Sequence, residues 1–227
     1  MLMQEFLKSI FYITYLTIII YIGIILVRNN YNNRYFKYFG YMALILVVGD
    51  AIHLIPRIYT YLIGSSLKEN ASLLGFGTLV ASITMTIFYL LFYSILKMQF
   101  SIKSKILDLS IYILVLGRFF LVLLPQNEWF VYESPLIWGI YRNIPFVVMG
   151  LILAFLAISK GIKCNNRNFI LYGVFILLSF LFYIPFVTLV STYPVLGVFM
   201  FPKTIAYLCI VLLAYNEFRY TYLKKSM

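Results

Sequence analysis

Apolar residues run along this chain in long unbroken blocks, separated by short polar stretches. Seven blocks stand out, at about residues 6–27, 38–63, 73–97, 105–124, 136–158, 168–190 and 200–222. Each holds about 20 residues, which at about 1.5 Å per residue crosses the hydrocarbon core of a bilayer. The separators read as connections: Arg28-Asn29-Asn30-Tyr31-Asn32-Asn33-Arg34, Gly64-Ser65-Ser66, Pro125-Gln126-Asn127-Glu128 and Lys163-Cys164-Asn165-Asn166-Arg167. Ser191-Thr192-Tyr193-Pro194 divides the last apolar stretch, because a proline behind a polar turn commonly ends a helix. Apolar positions do not alternate with polar ones, which excludes a transmembrane β-barrel. The pattern predicts an all-α integral membrane protein, a seven-transmembrane-helix bundle formed by residues 1–227 as a single domain.

Composition agrees with this pattern. The 227 residues are 63% hydrophobic, 19% aromatic and only 11% charged, with a mean hydropathy of +0.96. A soluble domain carries roughly 25% charged residues, so a soluble fold, a disordered tail and a disulfide-stapled module are all excluded. Cys164 and Cys209 have no metal-binding spacing and read as reduced thiols. The first block is too long for a signal peptide, follows Glu5 and is followed by Arg28, so it is expected to be a retained span. The connections are too short to form a catalytic or signalling domain, so function is expected within the bundle or through a partner.

Charge then fixes an expected orientation. There are 18 Lys and Arg against 7 Asp and Glu, a net charge of +11. In a soluble protein this excess would suggest nucleic acid; here no nucleic-acid partner is expected, because the charges sort by side. One set of connections holds Arg28, Arg34, Lys37, Lys97, Lys103, Lys105, Lys160, Lys163, Arg167, Arg219, Lys224 and Lys225. The other holds Lys8 and Lys68 beside Glu5, Glu69, Glu128 and Glu133. The positive-inside rule places the N-terminus outside and the C-terminus in the cytoplasm of a plasma-membrane, multi-pass protein. The basic side suits the anionic lipids of an inner leaflet, so membrane lipids are expected partners.

The candidate ionisable residues within the blocks are Asp50, His53, Arg57, Arg118, Arg142 and Lys203. Each costs about 2.5–3.5 kcal/mol near the centre of a span, so they are expected to face inward or to pair. Asp50, His53, Arg57 and Tyr61 are spaced by 3, 4 and 4, which makes one stripe on the second helix. Pro56 within that stripe is expected to free a backbone carbonyl. Arg57, Arg118 and Arg142 each lie about 9 Å from the expected outer end of their helices, with Lys203 shallower. Thr78, Ser82, Thr86, Tyr89 and Tyr93 share a face of the third helix, and Tyr172, Ser179, Tyr183, Asn143 and Tyr207 offer further polar groups. Hydroxyl stripes also serve interhelical packing, and a single arginine near a helix end also snorkels to headgroups. Four basic residues against the central Asp50, with Glu128 as a second acid if it folds inward, leave a surplus of positive charge. That surplus calls for an anion, and guanidinium forks suit phosphate or carboxylate.

One histidine excludes an all-protein multi-histidine zinc site and argues against the ceramidase and adiponectin-receptor class of seven-helix hydrolases. A metal held by Asp50, His53 and Glu128 is a minor alternative; no metal or cofactor is expected. Lys203 lies too near a helix end for a retinal protein, and the third helix has no acid to serve as counter-ion. A single Pro125-Gln126 dipeptide does not carry membership of the PQ-loop transporters. Three functions remain. The first is binding or transport of an anionic small molecule or lipid headgroup by Arg57, Arg118, Arg142, Asn143, Lys203, Tyr61 and Tyr207. The second is a lipid-modifying enzyme with His53 as acid–base group oriented by Asp50. The third is a sensor or assembly subunit that acts through a cytoplasmic partner. The oligomeric state is not legible.

Overall fold

The computed structural model describes residues 3–28, 33–63, 66, 68–132 and 134–223, with side chains from residue 6 to residue 222. The connections expected at residues 29–32 and 64–65, Glu133, Lys224, Lys225 and the side chain of Glu5 lie outside the described residues. Seven helices form: α1 Met3–Arg28, α2 Arg34–Ile63, α3 Ala71–Phe100, α4 Lys105–Leu123, α5 Leu136–Lys163, α6 Arg167–Leu189 and α7 Met200–Phe218. All seven spans are long and apolar enough to cross a membrane, and the protein is a polytopic membrane protein. One turn of 3-10 helix at Pro125–Asn127 leads out of α4, and two turns at Pro194–Phe199 lead into α7.

Local chemistry sets the ends. Ser104 accepts a hydrogen bond from the Leu107 amide and Asn166 from the Asn168 amide, which caps α4 and α6. Ser101 and Asn165 take left-handed backbone, with φ of 48° and 50°, just past the ends of α3 and α5. Several helices outrun the predicted blocks: α2 begins at Arg34, α3 reaches Phe100 and α5 reaches Lys163. The apolar pattern marks the hydrocarbon core, whereas the backbone ladder continues into the headgroup zone, where Lys, Arg and Tyr are welcome. The last α-helix is shorter than expected, because its final residues, Arg219–Leu223, unwind into a π-turn.

Sequential helices pack side by side, and α7 returns against α1 and α2, which closes a ring. α3 also packs on α5. Two ends result. At one, Trp129 of the α4–α5 connection lies against Gly75 at the start of α3, and Phe201 of α7 stacks on Tyr12 of α1. At the other, Glu217 of α7 meets Tyr35 of α2 and Asn168 of α6. These are called below the Trp129 end and the Glu217 end. Large apolar side chains such as Ile13, Leu116, Phe120, Ile137, Phe155 and Leu181 face outward as well as inward, and the largely apolar interior also holds His53, Thr60, Thr84, Thr86, Arg118 and Ser179. An apolar exterior over an apolar core, with a few buried polar groups, is what a lipid solvent permits.

The α2–α3 contact is the closest that concerns the site. A Cβ at Gly77 would stand 2.6 Å from the Ile52 carbonyl and 2.8 Å from His53 Cα. Pro56 has no amide to donate to that carbonyl, so glycine lets α3 cover the freed acceptor. α2 runs on through Pro56 as one helix, and Thr60 donates to the Pro56 carbonyl at 2.8 Å.

Candidate functional site

The ionisable residues of five helices converge within the Trp129 half of the ring. Tyr183 of α6 stands at their centre. Lys203 Nζ from α7 lies 4.2 Å from its ring centroid, and its hydroxyl donates to Asn143 Oδ1 of α5 at 2.9 Å. Phe146 of α5 meets the Tyr183 ring edge-to-face at 5.8 Å, and the Arg118 guanidinium of α4 lies over Phe146 at 3.6 Å. Lys203 is within electrostatic range of Asp50, Arg57 and Arg118, and His53 is within range of Arg57 and Lys203. The structure therefore brings Asp50, His53, Arg57, Arg118, Asn143 and Lys203 into one neighbourhood.

Arg118 is the most telling member. It is 2% exposed, yet its Nε and Nη1 are buried without a hydrogen-bond partner. Arg57 Nε is likewise buried and unpartnered. Buried donors are paired in the great majority of proteins, and an orphaned one costs about 1–3 kcal/mol, more for a charged group. The Phe146 face offsets part of this through a cation–π contact. Asp50 is within electrostatic range of Lys203 but forms no ion pair with Arg57, Arg118 or Lys203. It accepts a hydrogen bond from Tyr15 of α1 at 2.5 Å. Among the described residues the one ion pair within 4.0 Å is Lys97–Asp108, which joins the ends of α3 and α4.

Arg142 is held differently. Its Nη1 donates to Asn127 Oδ1 at 2.9 Å, and its guanidinium stacks 4.1 Å from the Trp129 ring. Asn127, fully buried, in turn donates to the carbonyls of Leu121 and Leu124 at 2.7 and 2.8 Å, and Trp129 Nε1 donates to Val122 at 3.0 Å. Asn127 and Trp129 thus cap the end of α4, and Arg142 braces the cap. Glu128 does not fold inward as a second acid. It sits in left-handed backbone, with φ of 47°, and is exposed, because the turn that buries Asn127 points its neighbour out.

The Asp50 and His53 side chains lie on one stripe but do not pair. His53 is 7% exposed, and its Nδ1 lies 3.3 Å from Thr78 Oγ1. The Thr78 hydroxyl also lies 2.9 Å from the Leu74 carbonyl, and a ring proton on Nδ1 satisfies both contacts at once. Among the described residues no three His, Cys, Asp or Glu side chains converge to hold a metal, so the Asp50–His53–Glu128 arrangement is not assembled. Tyr61 lies within electrostatic range of Tyr12, and Tyr207 is buried against the Tyr89 hydroxyl at 3.0 Å. Most of the α3 hydroxyl stripe is turned onto its own helix: Ser82 donates to Thr78 and Thr86 to Ser82, each at 2.8 Å.

Sequence reasoning missed Tyr15, Asn127 and Trp129 as partners of the intramembrane charges. It also missed Glu217, whose carboxylate accepts from Tyr35 at 3.1 Å, Asn168 at 3.2 Å and Tyr172 at 3.3 Å. An acid alone in the last apolar block is the signal that marks it. A cavity of about 210 Å³ adjoins the cationic cluster on the flank between α5 and α6, with Asn143 and Tyr183 in its wall. Comparison with protein-family models, curated proteins and solved structures finds no match. The fold is compatible with many functions, so the functional reading rests on the site itself.

Proposed function

We propose that this protein binds or transports an anion within its bundle, with the cationic cluster in the outer half of a plasma membrane, the N-terminus outside and the C-terminus in the cytoplasm. The ligand class is a phosphate- or carboxylate-bearing molecule. The observation that carries the reading is Arg118: a fully charged group, buried, with two nitrogens that no protein acceptor reaches. Arg57 and Lys203 add positive charge within electrostatic range, against one carboxylate already engaged by Tyr15. An anion seated among them supplies acceptors for the orphaned donors and offsets the surplus charge in a low-dielectric place. Asn143 and Tyr207 flank the cluster as neutral polar groups, and Tyr61 lies one turn beyond Arg57 on the same helix. Arg142 contributes positive charge from its brace on Asn127, within range of Arg118.

Native mass spectrometry of the gently purified full chain tests this. The wild type should retain an anionic adduct, and Arg118→Gln and Lys203→Gln should each lose most of it while remaining folded. Equal retention in the wild type and Arg118→Gln removes the basis of the proposal.

A further inference from the structure

The structure points to the route and the ligand class together: we infer that the anion is the headgroup of a lipid whose acyl chain lies in the groove between α5 and α6. This rests on the anion-binding reading and names its ligand. The groove holds about 210 Å³, less than the roughly 300–1,000 Å³ of a site for a drug-sized molecule, but enough for a section of one chain. Its rim is formed by Ile144, Val148 and Ile184, which face outward with 51%, 40% and 42% exposure, so it opens toward the lipid side of the bundle.

The groove surface is apolar, and its link to the cationic cluster is one pair of side chains in its wall. Asn143 and Tyr183, hydrogen-bonded to each other, line the groove. Lys203 rests on the Tyr183 ring, and Arg118 lies within electrostatic range of the Tyr183 hydroxyl. An anionic headgroup that passes the Asn143–Tyr183 pair meets these cations while its chain stays on the apolar groove, which is the charge pattern of an anionic lipid. A free phosphate uses only the first half of that surface.

Two further features separate this groove from other surface depressions. Pro145 lies inside α5 and Pro185 inside α6, each directly after a rim isoleucine. Each proline removes one rung of the ladder, at the carbonyls of Tyr141 and Leu181, so both walls are locally softened at the same opening. Toward the Glu217 end the same two helices are locked: a Cβ at Gly150 would stand 2.2 Å from the Phe180 ring, and one at Gly173 2.6 Å from the Ala154 carbonyl. The interface is thus closed on one side of the prolines and open on the other. Neither this groove nor the larger depression along α5, beside Leu107 and Phe155, has a charged lining residue; only the groove has in its wall a side chain, Tyr183, that carries a cation on its ring.

The experiment compares four probes on the thermal stability of the purified full chain: phosphatidylglycerol, phosphatidylcholine, glycerol phosphate and inorganic phosphate. Phosphatidylglycerol is expected to raise the melting temperature by several degrees, with little effect from the other three. Ile184→Trp and Ile144→Trp, at outward positions that tolerate bulk, should weaken the phosphatidylglycerol response at least tenfold in lipid concentration. Equal responses of these variants and the wild type to phosphatidylglycerol, or stabilisation by phosphate alone, overturn the lipid route and leave the anion reading standing. A full phosphatidylglycerol response in Arg118→Gln overturns both, as does no response of the wild type to any probe.

Discussion

Arg118 and Arg142 place the same charged group in opposite situations, and their variants should move stability in opposite directions. Arg142 has a hydrogen-bond acceptor in Asn127 and an aromatic face in Trp129. Arg142→Met removes both and leaves Asn127 Oδ1 without its donor, so it should cost about 1–3 kcal/mol. Arg118 has the Phe146 face and no acceptor for Nε or Nη1. In ligand-free protein, Arg118→Met replaces an uncompensated buried charge with an apolar chain of similar length, so it should stabilise by about 1–2 kcal/mol. Denaturant or thermal unfolding of both variants, after ligand is stripped, measures this; an Arg118→Met loss as large as that of Arg142→Met assigns Arg118 a structural role. The ionisable residues themselves are legible in the sequence, since each stands out from an apolar block that charges it several kcal/mol. Their partners are not. Tyr15 is one of 21 tyrosines, and nothing in its spacing marks it as the donor to Asp50. Asn127 sits in a polar connection that reads as solvated, although the fold buries it completely.

Elements are joined at the Glu217 end by one carboxylate. Tyr35 of α2, Asn168 and Tyr172 of α6 all donate to Glu217 of α7, and aromatic rings of Phe36, Phe39, Phe169 and Phe218 pack around them. Removal of the carboxylate orphans three donors from two other helices at once. Glu217→Ala should therefore destabilise by about 2–4 kcal/mol, whereas Glu217→Gln, which keeps one acceptor oxygen, should cost about half as much. Thermal melts of the two variants check the order; equal small losses show that the aromatic packing holds the three helices without the carboxylate. Helix number and approximate position are legible from hydropathy alone, because each span must satisfy its own backbone in lipid. The helix ends are less so. Asn33, Ser104 and Asn166 set three of the starts through side-chain hydrogen bonds to backbone amides, and those residues look like ordinary loop polar groups in the sequence.

At the scale of the whole molecule, orientation decides which solution the cationic cluster faces. The ring itself is neutral on that point, because α1 to α7 alternate direction whichever way the bundle sits. The bias in basic residues is the argument: Arg34, Lys37, Lys97, Lys103, Lys105, Lys160, Lys163, Arg167 and Arg219 gather at the Glu217 end, against Lys8 and Lys68 at the Trp129 end. The positive-inside rule predicts that the Glu217 end is cytoplasmic. The chain carries its own reporter of this. Cys164 is exposed at the α5–α6 connection of the Glu217 end, and Cys209 lies within α7. A Cys209→Ser variant leaves one thiol to read. A membrane-impermeant maleimide should leave Cys164 unmodified in intact cells and label it once the membrane is permeabilised. Labelling at full rate in intact cells inverts the bundle, moves Arg57, Arg118 and Lys203 to the cytoplasmic half, and makes an inner-leaflet lipid the ligand to test in the α5–α6 groove.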